Sequence, residues 1–336
     1  MAPDLRITAI IAAYNEADII AQTVGDLVRQ GIAVHMLDHH STDGTVAALE
    51  PFVKSGMVRI ESFPSVVPPG DNRFSWAQML TRKEQLAREL DADWFIHHDA
   101  DEFRESPWPH LNLREGIALV DRLGYNAIDF AVLNFRPTQD GFDDGADIRE
   151  AFQHYDAGEA FDRTQIKCWK KSERVDLTST GGHEARFPSR RVFPVRFILR
   201  HYPVRSQAHG TRKVFEERKP RFSAEERQRG WHVQYDAVKP GHQFVRAPAT
   251  LHRYDPEQVR VQLQIHHREF EELHAGAEAA RREIDDLKTQ LSESRGAHRA
   301  AVEQVHGLER QLVDVKQSWS WRITAPLRAV WRLLRQ

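Results

Sequence analysis

The sequence predicts an α/β fold with a largely parallel sheet, followed by a C-terminal α-helical coiled coil. Three observations predict it. Strand-length apolar runs alternate with helix-period segments as far as Phe135, the pattern of βαβ units. The runs end in polar groups: Asn15 and Glu16, then Asp38 and Asp43, then Asp99 and Asp101. From Phe270 a 4–3 apolar spacing continues to Trp319, the signature of helices that supercoil.

The elements follow in order. Arg6 to Ala13 (RITAIIAA) is an apolar, β-rich strand. Asn15-Glu16-Ala17-Asp18 then opens a helix with Ile19, Ile20, Val24, Leu27 and Val28 on one face, ended by Gly31. Ile32 to Leu37 is a second buried strand running into Asp38, and the turn Ser41–Thr45 leads to a helix from Val46 to Lys54. Phe63 to Phe74, with Pro64, Pro68, Pro69 and Gly70, reads as a loop. Trp76 to Leu90 is helical, Trp94 to His98 a buried strand, Leu111 to Leu123 an amphipathic helix, and Tyr125 to Phe135 another strand. Residues 137 to 165 are loop-rich and acidic, with Asp140, Asp143, Asp144 and Asp147. Beyond them periodicity is weak, except for the apolar run Val195 to Leu199, which places His201 at a strand end.

The segment Trp94–Phe103 (WFIHHDADEF) carries the most chemistry. A buried strand runs straight into Asp99, Asp101 and Glu102. Adjacent bare carboxylates repel one another and resist burial. A divalent cation removes that conflict, and hard oxygen ligands suit Mg²⁺ or Mn²⁺. A lone Asp-x-Asp also occurs as a solvated acidic turn. Here the other strands deliver polar groups to the same sheet edge, where ligands of parallel sheets bind.

These residues also carry a resemblance. Ala13-Tyr14-Asn15-Glu16, Asp38 followed by Ser41-Thr42-Asp43-Gly44-Thr45, and Asp99-Ala100-Asp101-Glu102-Phe103 resemble, in order and spacing, the family 2 nucleotide-sugar glycosyltransferases of the GT-A fold, over about residues 6 to 136. Arg200–Ser206 with Lys213 resembles the bacterial surface-polysaccharide branch of that family. The resemblance implies a Rossmann-like nucleotide-diphospho-sugar transferase domain and inverting transfer. It implies a donor site of Ala13, Tyr14, Asn15, Glu16, Asp38, Asp43, Arg82, Asp99 and Ala100, with Asp99 and Asp101 on the metal and His201, or else His183, as a further ligand. His39 and His40 depart from the family, which usually has an acidic or small residue after Asp38.

Further roles follow from residue type. Arg200, Arg205 and Lys213 suit a leaving diphosphate. Trp231 offers an aromatic platform for a sugar, or else a core residue. Glu184, after the flexible Gly181-Gly182 pair, is the candidate general base, with Asp140 or Asp176 next.

A net charge of −2 gives no reason to expect a nucleic-acid partner, and the single Cys168 suits a reducing compartment. No signal peptide and no apolar run of about 18 residues is present. The expected divisions are a catalytic domain over 1–255, a coiled coil over 256–317 and a basic amphipathic tail over 318–336. The tail carries Arg322, Arg328, Arg332 and Arg335 among tryptophans and no acid, which suits an anionic membrane surface. The expected protein is cytoplasmic and peripheral to the membrane. It self-associates through the coiled coil and moves a sugar from a nucleotide-diphosphate donor to a glycan or lipid-linked acceptor. The rivals are a metal-dependent sugar nucleotidyltransferase and a non-catalytic coiled-coil scaffold.

Overall fold

A computed structural model describes residues 5–66, 73–142, 145–157, 160–228, 230–265 and 268–333. Pro68, Pro69, Gly70, Asp143 and Asp144 lie outside the described residues, as does Arg335. The chain divides into two compact units, Met1–Arg268 and Glu269–Gln336.

In the first unit β1 (Ile7–Ala13), α1 (Ile20–Arg29), β2 (Ala33–Asp38), α2 (Glu50–Lys54), β3 (Val58–Ser62), α3 (Trp76–Glu89) and β4 (Trp94–Asp99) form the expected alternation. β1 pairs in parallel with both β2 and β4, and β2 pairs in parallel with β3. The strand order β3-β2-β1-β4 therefore reverses direction at the β1/β4 junction, where parallel sheets open a crevice beyond their carboxyl ends. Ala13, Asp38 and Asp99 end these three strands.

Further strands complete the sheet. β5 (Glu102–Glu105), α4 (Leu113–Arg122) and β6 (Ala127–Phe135) precede a short α5 (Ile148–Ala151) and β7 (His154–Ala157). β8 (Ile166–Lys170) inserts antiparallel between β4 and β6, and β9 (Phe197–His201) runs parallel to β6 and antiparallel to β5. The sequence reading did not anticipate β3, β5, β7 or β8. In β8 (IKCWK) both lysines hide the apolar pattern, yet Lys167 is buried because two carboxylates neutralise it.

Helices cover both faces. α1 sets Ile20, Val24 and Leu27 against Ile11, Met36 and Ile96. α3, capped by Ser75, sets Met79, Leu80 and Leu86 against Ile10, Phe95 and Trp169 on the other face. α4 begins at a capping box of Asn112 and Glu115, which satisfies two free helix-end amides.

After β9 come α6 (Gln207–Arg212), a wide helical turn over Lys213–Arg218, α7 (Ala224–Gln228) and a two-residue β10 (His252–Arg253). α8 (Pro256–Ile265) still belongs to the first unit. Val259 is buried in the cluster containing Phe103 and Phe152, Leu263 packs on that cluster, and Arg260 holds Glu105 at 2.8 Å. The first unit thus extends past the expected boundary at 255.

That packing sets up the first prediction. A chain ending at Arg268 is expected to melt as the parent unit does. One ending at 255 is expected to lose about 2 kcal/mol or more, from the exposed apolar cluster and the lost Arg260–Glu105 pair. Urea titration of both truncations tests this, and equal midpoints would refute it.

The second unit is α9 (Arg268–Gln317), α10 (Trp319–Ile323) and α11 (Ala325–Leu333). On α9 the apolar positions Ile284, Leu287, Leu291, Val305, Leu308 and Leu312 are all about half exposed within a single chain. Phe270, Leu273 and Ala277 have no described side chains.

Candidate functional site

A cavity of about 890 Å³ opens beyond the carboxyl ends of β1 and β4. Ala13, Tyr14, Glu16, Asp99, Ala100, Asp101, His183, His201, Lys213 and Trp231 of the expected set all line it.

Strand register explains the centre of the site. β5 and β9 pair Glu102 with His201, and β6 and β9 pair Asn134 with His201. The Asp101 carbonyl accepts the amide of Tyr202. His201 is thereby laid against Asp101, with Nε2 at 3.7 Å from Oδ1. Its Nδ1 is 2.7 Å from Asn134 Oδ1 and donates to it, which leaves the Nε2 lone pair facing the carboxylate. Metal–ligand bonds of about 2.1 Å allow two donors 3.7 Å apart to share one ion. The pair therefore fits a divalent cation.

Two lysines neutralise the remaining acids. Lys213 Nζ lies 2.8 Å from Asp101 Oδ2 and 3.1 Å from Glu16. Lys167 Nζ lies 3.0 Å from Glu102 and 3.4 Å from Asp99. Burial alone would favour neutral acids. It is outweighed, by Lys213 and Arg205 at Glu16 and by Lys167 at Asp99 and Glu102, so all three carboxyls titrate below their usual range.

Several expected contributors stand elsewhere. Arg82 points away from the cavity and is bound by Glu61 at 2.7 Å and Glu89 at 3.0 Å. Its neighbour Lys83 is the one turned inward. Arg205 is 1% exposed and braces Glu16 and Asp18, while Arg200 is turned to Glu105. Asn15 and Asp43 tie loops together: Asn15 Oδ1 accepts from Thr42 N at 2.9 Å, and Asp43 accepts from Ala17 N at 3.2 Å. Asp38, 4% exposed, accepts the Ser41 amide at 3.3 Å and does not line the cavity.

The largest correction concerns Glu184. Its carboxylate lies between Arg186 and Arg190, outside the cavity lining. Burial favours its neutral form, but Arg190 and then Arg186 hold it below the usual carboxylate range. A carboxylate paired with two guanidiniums and facing away from the cavity is a poor proton acceptor. Asp140 instead accepts the Gln207 amide and Asp176 the Ser179 amide. Asp162 is the carboxylate at the cavity wall that the sequence reading passed over; its Oδ1 accepts from Gln165 Nε2 at 3.3 Å. Gln165 Nε2 also lies 2.8 Å from His183 Nδ1, so His183 is tied into this network rather than beside Asp101.

Arg218, half-buried at the cavity wall, was also missed. It lies 5.9 Å from the Phe74 ring and makes no ion pair among the described residues. At the β2 side Arg221 stacks 3.6 Å over Tyr14 and bonds His39 at 2.6 Å. Burial, then Arg221, lowers His39 to about 4, so it is neutral near pH 7.

Among the described residues one trio of ligand-type side chains is tightly gathered: Glu16, Asp18 and His209, whose donor atoms lie within 4.8 Å of one another. The Arg205 guanidinium already occupies that cluster, bonding both carboxylates, and the Arg205 backbone amide donates to His209 Nδ1.

Residues 8–108, which supply β1 to β5, match the model of glycosyl transferase family 2. This segment is a family 2 glycosyltransferase domain of GT-A type. The family 2 domain ends beyond Asp99 and Asp101, so the metal-ligand candidate His201 and the cationic wall come from the chain that follows it. No curated protein matches the chain.

Partial likeness extends to crystal structures of S. aureus TarS 1–349. The complex with UDP has a TM-score of 0.35 at 10% identity, covering 60% of this chain and 61% of that one. The complex with UDP-GlcNAc has a TM-score of 0.34 at 10% identity, covering 62% and 61%. Glucosyl-3-phosphoglycerate synthase from Mycobacterium tuberculosis, in complex with Mn²⁺, UDP and glucosyl-3-phosphoglycerate, has a TM-score of 0.27 at 20% identity, covering 38% and 44%. The chain thus spans less than two thirds of each of these proteins.

Proposed function

We propose that the cavity binds a nucleoside-diphosphate sugar and transfers its glycosyl group, with inversion, to a hydroxyl of a glycan or lipid-linked acceptor. One observation carries the reading. Asp101 and His201 offer a two-donor metal site beside Lys213 and Arg218, at the crevice beyond the carboxyl ends of the paired strands β1 and β4. An anionic diphosphate is the ligand such a cationic wall suits.

Asp101 and His201 would hold Mn²⁺ or Mg²⁺. A bound cation there would neutralise charge on the leaving diphosphate. Lys213 and Arg218 add fixed positive charge. Tyr14 takes the nucleoside end, and Trp231 the sugar or acceptor. The acceptor oxygen forms a bond to the anomeric carbon, the bond to the diphosphate breaks, and Asp162 takes the hydroxyl proton.

Thermal shift with UDP-, GDP- and dTDP-sugars, with Mn²⁺ and then with EDTA, tests the reading. A metal-dependent rise for one sugar nucleotide is expected, and no rise for any of them would refute it. The base assignment has its own test. Asp162→Asn is expected to lower turnover by about 10² to 10⁴, while Glu184→Gln stays near wild type. The reverse pattern, read by steady-state kinetics, would return the role to Glu184.

The second unit supports a proposal about assembly. An exposed a/d stripe buries itself against another helix, and a second copy is the simplest partner. No helix among the described residues is long and apolar enough to cross a membrane. α10 and α11 instead expose Trp319, Trp321, Leu327 and Trp331 beside Arg322, Arg328 and Arg332, a composition suited to an anionic lipid surface. The full chain is expected to scatter light as a dimer and to float with anionic vesicles, and the chain ending at 268 to do neither. A monomer that ignores vesicles would overturn both assignments.

A further inference from the structure

Lys83 sits on the inner face of α3 with 0% exposure. Its Nζ lies 3.0 Å from His97 Nδ1, 3.0 Å from the His98 carbonyl oxygen and 5.6 Å from the centre of the Trp76 ring. A buried amine is costly unless bonded; as an ammonium Lys83 has only N–H groups to offer, so the His98 carbonyl and His97 Nδ1 both accept. His97 Nδ1 must then carry the lone pair, which puts the proton of the neutral ring on Nε2. His97 lines the cavity, and among the described residues its Nε2 has no hydrogen-bond partner.

His97 is two residues before Asp99 on β4, so both project from the same face. His97 is thus deeper in the sheet than Asp99 by about 6.6 Å. Beside it stand Trp76, with ring centres 5.8 Å apart, and Gly182, while Lys83 holds its other nitrogen and Asp99 and Lys167 also line the cavity. Gly182 has φ +90°, and a Cβ there would come within 3.0 Å of His97 Nε2. The turn therefore needs glycine to leave this nitrogen clear. A single N–H beside an aromatic ring, with the Asp99 carboxylate on the same strand face, suits a neutral oxygen rather than a phosphate.

We propose that Lys83 is a positioning residue that holds His97 as its Nε2–H tautomer, so that His97 donates a hydrogen bond to a sugar hydroxyl seated at the inner end of the cavity. The inference rests on the glycosyl-transfer reading. The hydroxyl belongs to the donor sugar or to the acceptor, and the two are separable.

The first arm of the test needs no substrate. ¹⁵N spectra of histidine-labelled protein, with the His97 signal assigned by its loss in His97→Gln, are expected to show Nε2–H in the wild type. Lys83→Met is expected to give a mixture of tautomers. Nδ1–H in the wild type would overturn the proposal. Lys83→Met leaves the His98 carbonyl and His97 Nδ1 without their donor, so a urea titration beside the spectra shows that the variant is folded before its tautomers are read.

The second arm measures binding and kinetics, with UDP, GDP and their sugar conjugates as probes. Lys83→Met and His97→Phe are expected to bind the nucleoside diphosphate as the wild type does. Affinity for the sugar conjugate should fall about tenfold if the hydroxyl is the donor's. The acceptor KM should rise by a similar factor if it is the acceptor's. His97→Gln, which keeps an N–H, should recover most of the loss. No change in either quantity, or equal weakening of the bare nucleotide, would overturn the role of His97. A wild type that binds no sugar nucleotide would overturn the glycosyl-transfer reading itself, whatever the tautomer.

Discussion

Replacing Asp101 with alanine is expected to lower glycosyl transfer about 10³-fold, equivalent to about 4 kcal/mol of lost transition-state stabilisation. Asp101 joins both halves of the charge machinery. Its Oδ1 faces His201 Nε2 at 3.7 Å, and its Oδ2 accepts from Lys213 at 2.8 Å. The fold should survive, because Lys213 keeps Glu16 at 3.1 Å and is not left as an isolated buried charge. A stability cost of about 1–3 kcal/mol is expected from the lost charged hydrogen bond. Steady-state rates with and without EDTA, beside a urea titration, check both halves. Wild-type turnover in the variant, or in EDTA, would remove Asp101 and the metal from the mechanism.

Lys213→Met should produce the largest loss of stability, about 3 kcal/mol or more near neutral pH. Removing one partner of a buried ion pair leaves the other charge uncompensated. Here it strands Asp101 and leaves Glu16 with Arg205 alone.

The pH dependence of that loss has a definite sign. In the folded protein the Glu16 carboxyl titrates below its usual value, with Lys213 the largest contributor opposing burial. Its stabilising contribution is therefore present above the unfolded carboxylate pKa of about 4.3, and is lost as pH falls through the depressed folded value. The Lys213 ammonium, despite its burial, is raised above its usual value by Asp101 and then Glu16, so its contribution persists up to about pH 10. The penalty of the substitution should thus be full at pH 7 and shrink on acidification. Unfolding at pH 7 and at about pH 2 measures it, because the loss falls between the unfolded carboxylate value and the depressed folded one. The same penalty at both values would mean that lost packing, not charge, destabilises the variant.

Sequence reading worked best where chemistry coincided with a strand end. The placement of Ala13, Tyr14, Glu16, Asp99 and Asp101 at the cavity was legible because each ends or follows an apolar run whose length and period announce a parallel strand. The place of His201 at a strand end on the cavity was legible for the same reason, since Phe197–His201 is an apolar strand. Glu184 and Arg82 misled because composition names a residue type but not a direction. Glu184 turns to Arg186 and Arg190, and Arg82 to Glu61 and Glu89, on the side away from the cavity. Asp162 and Arg218 had no periodic context, since one sits in a loop-rich acidic stretch and the other ends a wide helical turn.

By itself the sequence determined the βαβ half of the fold, the sheet edge where the chemistry gathers and the separate helical unit, because hydrophobic period is a local property. Only tertiary structure decided how the acids are neutralised. Lys167 and Lys213 come from β8 and from the turn after α6, far along the chain from Asp99, Asp101 and Glu102. It also decided that Lys83 rather than Arg82 faces inward, and that α8 belongs to the first unit. Each of these depends on which distant segment fills the space beside a given side chain, and pairing between distant segments leaves no periodic mark on either one.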